Sequence, residues 1–225
     1  MSIRKFNIQN LKNDSNIMII GSKCSGKSTL IKDIIYNNKK TSVGSVISCG
    51  ENVEHFYDKF INNTLIHTEY DPLILERLFE CQIKAYHEKL VNYNKILVMD
   101  ECFVASDKIQ NDKKIQELFF NGRNYRILSI LTTQFPMRLS PSLRVNIDCI
   151  FIFKNHDIKH KREIYQYYAS IFKSFEEFET ILDSLDNYNC LVIDYSSKLE
   201  DQIFYYKAEL YEAELIDIVD NYVIV

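Results

Sequence analysis

Short apolar runs alternate along this chain with segments of helical spacing. Uninterrupted apolar runs predict buried strands, and apolar residues that recur every three to four positions predict helices. We expect strands at 16–20, 45–48, 65–67, 95–100, 126–133 and 149–153, and helices at 27–36, 53–60, 71–93, 109–121, 157–172 and 174–185. This alternation predicts a mainly parallel sheet flanked by helices, with a C-terminal β-hairpin formed by 190–194 and 202–206.

Size and composition narrow the class of protein. A chain of 225 residues, 46% hydrophobic and 26% charged, can bury one sizeable core, so a single domain over residues 1–225 is expected. No run of eighteen apolar residues occurs and the first residues lack a signal peptide's apolar stretch, which predicts a soluble intracellular protein. Six scattered cysteines without metal-ligand spacing predict free thiols in a reducing compartment.

A glycine-rich segment follows the first apolar run and opens the first predicted helix. Its spacing, G-x-x-x-x-G-K-[ST], is that of a phosphate-binding loop. In such a loop the main-chain N–H groups face the phosphates, the lysine neutralises phosphate charge and the next hydroxyl holds Mg²⁺. The segment predicts a nucleoside triphosphate site formed by Gly21, Ser22, Lys23, Cys24, Ser25, Gly26, Lys27, Ser28 and Thr29.

Two acidic residues directly follow the apolar run at 96–99. A parallel strand delivers such residues to the carboxyl edge of the sheet, where Asp100 can hold Mg²⁺ through water, opposite Ser28. The adjacent Glu101 is placed to orient and deprotonate a water molecule in line with the γ-phosphate. The pair therefore predicts hydrolysis, with Ser28 and Asp100 as metal residues and with Lys27 and Glu101 as catalytic residues.

A polar residue, Gln134, closes the strand expected to lie between the first strand and the acid-bearing one. From there its side chain can reach the γ-phosphate or the attacking water. A guanidinium from a neighbouring subunit would stabilise the charge that develops during hydrolysis. An arginine with this role is called an arginine finger, and four arginines flank this strand. Arg123 and Arg144 are preferred for the role over Arg126 and Arg138. Any single arginine is more often a surface residue that forms a salt bridge.

The net charge of −4 does not suggest a protein coated in nucleic acid. It does not exclude DNA binding, because a ring-shaped motor needs basic residues only in its pore. The basic run at 159–162 is better explained as a solvated helix face than as a contact with DNA phosphates.

Taken together, these segments resemble the DNA-packaging ATPases of poxviruses and giant DNA viruses, within the FtsK/HerA-like P-loop motors. The resemblance rests on G-S-K-C-S-G-K-S-T, I-L-V-M-D-E, N-G-R-N-Y-R-I-L-S-I-L-T-T-Q and R-V-N-I-D-C-I-F-I-F, and extends to C-L-V-I-D-Y with Q-I-F-Y-Y-K-A. It implies a RecA-like P-loop NTPase fold, Glu101 as catalytic base, Gln134 as sensor and an arginine finger that acts between subunits.

The resemblance also implies cofactors, partners and a place of action. It implies ATP and Mg²⁺, a homo-oligomeric ring (pentamer or hexamer), double-stranded DNA as cargo and a viral capsid or portal component as partner. Action in the cytoplasm of an infected cell, in the virus factory or the virion, is expected. Two alternatives remain open: a small-molecule P-loop kinase, which typically needs an arginine-bearing lid, and a switch protein that binds ATP without useful turnover.

Overall fold

A nine-stranded sheet forms the centre of the protein. The computed structural model describes residues 3–38, 41–105, 107–135, 139–198 and 202–212, with the side chains of 104–105 and 107–108 left aside. The strands are β1 (Arg4–Lys5), β2 (Asn16–Ile20), β3 (Ser42–Ser48), β4 (Ile66–His67), β5 (Lys95–Asp100), β6 (Ile127–Thr133), β7 (Cys149–Phe153), β8 (Asn189–Asp194) and β9 (Ile203–Lys207). Their order across the sheet is β1-β9-β8-β7-β2-β6-β5-β3-β4.

Strand direction decides where the functional residues meet. Neighbouring strands are parallel except for β7 with β8 and β8 with β9. The carboxyl ends of β2, β3, β5, β6 and β7 therefore share one edge, which we call the carboxyl edge, and antiparallel β8 begins there. The predicted parallel sheet and its C-terminal hairpin, formed by β8 and β9, are confirmed.

Helices pack on both faces of the sheet. They are α1 (Lys27–Asn37), α2 (Glu51–Glu54), α3 (Pro72–His87), α4 (Cys102–Ala105), α5 (Asp107–Gln110), α6 (Lys113–Asn121), α7 (Pro141–Arg144), α8 (Ile158–Tyr168) and α9 (Phe175–Ser184). Alternate residues of the central strand divide between two cores: Ile17 and Ile19 pack with α1, and Met18 and Ile20 pack on the opposite face with α3, α6, α8 and α9. Among the described residues, no helix combines the length and apolarity needed to cross a membrane.

Several predicted helices are shorter than their apolar spacing suggested. The helix expected at 71–93 ends at His87, and Lys89 then turns the chain with φ 55°. The helix expected at 53–60 is interrupted by His55, whose φ is 46°, leaving the single turn α2 and a 3-10 turn at Tyr57–Lys59. These stops depend on left-handed backbone at non-glycine residues, which sequence does not signal.

Two further differences concern short elements. The helix expected at 109–121 is split, because Asp112 accepts the N–H of Lys114 at 2.7 Å and caps α6. The two-residue strand β1 was not predicted, because it is too short to show an alternating pattern. Neither difference moves the carboxyl edge of the sheet.

Candidate active site

The glycine-rich segment forms the turn between β2 and α1. Cys24 and Gly26 have left-handed backbone, with φ of 61° and 112°. A Cβ atom on Gly21 would lie 2.9 Å from Cβ of Phe153, and one on Gly26 would lie 3.2 Å from the Phe153 ring. Gly21 is thus required by close packing against Phe153, and Gly26 is required by its φ.

Lys27 begins α1, and its side chain is 8% exposed. Its ammonium Nζ donates to the carbonyl oxygens of Gly21 at 2.9 Å and Ser22 at 3.1 Å, and lies 3.0 Å from Oε1 of Glu101. Among the main-chain N–H groups of residues 22–27, all of which the structure describes, only that of Ser25 donates to a main-chain carbonyl. The turn therefore presents an ammonium and several N–H donors, the donor set that a phosphate chain needs.

The two acids lie at the carboxyl edge, at the end of β5. Thr132 on the adjacent strand β6 holds both of them: its hydroxyl donates to Oδ1 of Asp100 at 2.5 Å and accepts the N–H of Glu101 at 2.9 Å. Glu101 has φ 59°, a strained backbone for this residue type. Strand pairing between β5 and β6 therefore sets the direction in which each carboxylate leaves the sheet.

A buried tyrosine, Tyr57, completes the support of Asp100. Its hydroxyl donates to Oδ2 of Asp100 at 2.8 Å. Burial, together with the nearby charge of Asp100, raises the pKa of Tyr57 well above its usual value, so the hydroxyl remains a donor. The segment is held by buried Glu51, whose carboxylate accepts the N–H groups of Phe56, Tyr57 and Asp58. Sequence reasoning missed both Glu51 and Tyr57, because no motif marks them.

Gln134 lies immediately after β6, between β2 and β5 as predicted. Its Nε2 donates to Oε2 of Glu101 at 3.1 Å. The carboxylate of Glu101 thus contacts Lys27 through one oxygen and Gln134 through the other. Three residues predicted from separate segments of the chain meet at one point beside the phosphate loop.

The residues predicted to hold Mg²⁺ have suitable chemistry. Ser28 and Thr29 lie in the first turn of α1 and are half-buried. The hydroxyl of Ser28 and the carboxylate of Asp100 are hard oxygen ligands, which Mg²⁺ prefers. They stand at the carboxyl edge, after β2 and at the end of β5, two strands apart, and the donor set fits this ion.

The curated relatives of this chain are viral proteins. An uncharacterised protein of Acanthamoeba polyphaga mimivirus is 31% identical over 218 residues, which cover 92% of this chain and 77% of the relative. An uncharacterised protein of Invertebrate iridescent virus 3 is 35% identical over 199 residues, 86% of this chain and 76% of the relative. The chain belongs to this giant-virus and iridovirus family. No protein-family model matches the sequence.

A solved structure with the same fold is the genome-packaging NTPase B204 of Sulfolobus turreted icosahedral virus 2, in complex with AMPPCP. The TM-score is 0.65 at 20% identity, and the match covers 88% of this chain and 100% of that protein. At this identity the likeness establishes the fold. The resemblance to the viral DNA-packaging ATPases that the motifs indicated is confirmed at the level of fold, and the chain has a P-loop NTPase fold.

Arg123, Arg126 and Arg144 contact residues outside the phosphate loop. Arg123 forms an ion pair with Asp148, whose Oδ2 accepts the N–H of Asn16 at 2.9 Å. Asn16 and Asp148 stand at the amino ends of β2 and β7, so Arg123 lies at the edge opposite the loop. An arginine finger acts on the site of a neighbouring subunit, so the position of Arg123 within one chain does not test that role. The role of Arg123 as a finger stays a prediction.

The other arginines rest on aromatic rings. The guanidinium carbon of Arg126 lies 4.6 Å from the ring centre of Tyr93, and that of Arg144 lies 4.3 Å from the ring centre of Tyr167. Arg138 lies outside the described residues. Cation–π contacts of this kind account for Arg126 and Arg144 without a role in hydrolysis, and the role of Arg144 as a finger stays a prediction.

Two cysteines also lie at the carboxyl edge of this family member. Cys49 directly follows β3, and buried Cys102 begins α4. A hydrogen bond with the thiol of Cys102 lowers the pKa of Cys49 to about 6, and the pKa of Cys102 is raised well above its usual value by the same bond and by burial. All six cysteines have free thiols.

Proposed function

We propose that this chain is an ATP-hydrolysing motor that moves double-stranded viral DNA into a capsid. The observation that supports hydrolysis most directly is the contact of one carboxylate, Glu101, with both Lys27 at 3.0 Å and Gln134 at 3.1 Å beside a phosphate loop. A loop that only bound nucleotide would need no carboxylate at this point. A carboxylate held there is suited to accept a proton from water.

The proposed mechanism assigns a step to each residue. Phosphate oxygens compete with the carbonyls of Gly21 and Ser22 for the ammonium of Lys27, which then neutralises the β- and γ-phosphates. As Lys27 turns to the phosphates, the carboxylate of Glu101 is released to orient a water molecule and take its proton. Gln134 holds the other oxygen of that carboxylate and so fixes its direction.

Mg²⁺ would be held by Ser28 and by Asp100 through water, and when bound it supplies charge neutralisation on the phosphates. Thr132 and Tyr57 hold both oxygens of Asp100 and prevent its side chain from rotating away. These two hydroxyl donors are positioning residues in this proposal.

The DNA-moving role is supported by the family. The curated relatives reported above are proteins of a mimivirus and an iridescent virus, and the structural neighbour is a viral genome-packaging NTPase. We therefore propose a homo-oligomeric ring that acts on double-stranded DNA in the infected cell, with a capsid or portal component as partner. In such a ring Arg123 or Arg144 would complete the site of the neighbouring subunit.

The first experiment measures ATP hydrolysis over a protein concentration series, with and without duplex DNA. Hydrolysis per subunit is expected to rise with concentration, because sites are completed on assembly, and to rise further with DNA. Glu101→Gln should bind ATP but lose about 100-fold or more of the turnover. Glu117→Gln, a matched change at a carboxylate that accepts from Tyr125 and Lys114, away from the phosphate loop, should behave as wild type. Unchanged turnover in Glu101→Gln would remove Glu101 as the base.

A second experiment separates the motor from its alternatives. Lys27→Ala should lose nucleotide affinity, because the charge on the phosphates is removed. Transfer of labelled phosphate to an added nucleoside would instead indicate a kinase. ATP binding without turnover in the assembled wild type would indicate a switch protein.

A further inference from the structure

An exposed aromatic ring borders the phosphate loop. Tyr188 lies in the short loop between α9 and β8, and 63% of its surface is exposed. Its ring carbon Cδ1 would lie 3.5 Å from a Cβ atom placed on Gly26. Among the described residues, its hydroxyl has no hydrogen-bond partner. The mechanism above gives this ring no task.

The loop that carries Tyr188 is held in place by its neighbours. The ammonium of Lys154, directly after β7, donates to the carbonyls of Asp183 at 2.7 Å and Leu185 at 3.2 Å. The N–H of Asn189 donates to the carbonyl of Asp186 at 3.1 Å. Tyr188 itself has φ 65°, a left-handed conformation that is strained for a tyrosine. The main chain of this loop is therefore held in a strained conformation that places the ring beside the phosphate loop.

Strand order places this ring on a particular side of the phosphate loop. The acids Asp100 and Glu101 stand after β5, two strands from β2 in one direction, and β8 is two strands from β2 in the other. A triphosphate whose γ-phosphate faces Glu101 runs along the loop away from the acids. Its nucleoside end therefore leaves toward β7 and β8, where Tyr188 stands.

We propose that the base of the bound nucleotide stacks on the ring of Tyr188. This inference rests on the proposed function, because it requires the loop to bind a nucleoside triphosphate. Stacking on an aromatic ring contributes affinity for any base, since every base has a π face. The tyrosine would thus raise affinity for nucleotides over free polyphosphates without selecting one base.

The test compares ATP with inorganic tripolyphosphate, which has the phosphate chain but no base. Affinities are measured by calorimetry for wild type, Tyr188→Asn, Tyr188→Phe and Lys27→Ala. Asparagine tolerates left-handed backbone, so Tyr188→Asn removes the ring while keeping the loop conformation. Tyr188→Asn should bind ATP about tenfold more weakly and tripolyphosphate unchanged, and Tyr188→Phe should match wild type. Lys27→Ala should lose both ligands.

Each outcome decides the proposal. Wild-type ATP affinity in Tyr188→Asn, alongside loss of both ligands in Lys27→Ala, would overturn the stacking and leave the phosphate loop intact. Equal weakening of ATP and tripolyphosphate in Tyr188→Asn would show that Tyr188 supports the loop and not the base. Wild-type protein that binds neither ligand would overturn both the proposed function and this inference.

Discussion

Removing one oxygen atom from Tyr57 tests whether the support of Asp100 matters for metal use. Tyr57→Phe deletes the hydroxyl that donates to Oδ2 of Asp100 at 2.8 Å and leaves a ring of nearly the same volume. Tyr57 is 1% exposed, so no cavity opens to bulk water. The change therefore isolates a single hydrogen bond to a carboxylate.

The expected magnitudes follow from this geometry. A hydrogen bond to a charged group contributes about 1.5–3 kcal/mol, and Asp100 is half-buried, so water can replace part of the loss. We expect the free energy of unfolding to fall by about 2 kcal/mol. Residues that orient a metal ligand typically change metal affinity or activity by about 10–100-fold. The Mg²⁺ concentration that gives half-maximal ATP hydrolysis should rise by about tenfold or more.

A matched control is available in the same chain. Tyr206 is 3% exposed, and its hydroxyl donates to Oδ2 of Asp33 at 2.7 Å, away from the acids of β5. Tyr206→Phe makes the same chemical change and should cost a similar stability without changing the Mg²⁺ requirement. Unfolding is measured in urea and hydrolysis in a Mg²⁺ titration, for both variants and wild type.

The pH dependence gives a further check on Tyr57→Phe. Because the pKa of Tyr57 is raised in the folded protein, its bond is fully present below the unfolded value of about 10 and is lost only as pH rises above the folded value. The stability difference from wild type should therefore stay constant between about pH 6 and 9. If both tyrosine variants shifted the Mg²⁺ requirement equally, or neither did, the reasoning about Asp100 would be refuted.

Three further predictions concern other parts of the fold. Gly26→Ala should weaken ATP binding and lower the free energy of unfolding by about 1–3 kcal/mol, because the φ of Gly26 is 112° and the Phe153 ring lies 3.2 Å from the new Cβ. A fully active variant of wild-type stability would contradict this prediction. The rate of Cys49 alkylation, measured by mass spectrometry, should reach half its maximum near pH 6, and this midpoint should rise in Cys102→Ala. A wild-type midpoint above about pH 8 would contradict the prediction. Lys161→Met should lower the free energy of unfolding, measured in urea at neutral pH, by about 1–3 kcal/mol, because it leaves two carboxylates of α9 unpaired. The loss should be smaller in acid, where these carboxylates are protonated. An equal loss at both pH values would contradict this explanation.

The sequence predicted best the features that are local along the chain. The phosphate loop occupies nine consecutive residues, and its chemistry depends on their spacing alone. The apolar runs predicted the strand that ends at Asp100 and the strand that Gln134 follows, because a buried parallel strand needs a continuous apolar segment. Helix ends were predicted less well, since they depend on single left-handed residues such as His55 and Lys89.

Contacts between distant segments could not be predicted in this way. Tyr57 and Asp100 are 43 positions apart, and Thr132 and Asp100 are 32 positions apart. Thr132 reaches Asp100 because β5 and β6 are neighbours in register, and Tyr57 reaches it from the segment that follows β3, the other neighbour of β5. Strand direction likewise places Arg123, which precedes β6, at the edge of the sheet opposite the phosphate loop.

The sequence by itself determined that this chain has a phosphate loop, a following helix and a strand ending in two acids, because each is a short pattern with one chemical use. The tertiary structure decided how these parts are held: Thr132 and Tyr57 on Asp100, Lys27 and Gln134 on Glu101, and Tyr188 beside the loop. Strand order and register determine those distances, and they arise only when the whole sheet is formed.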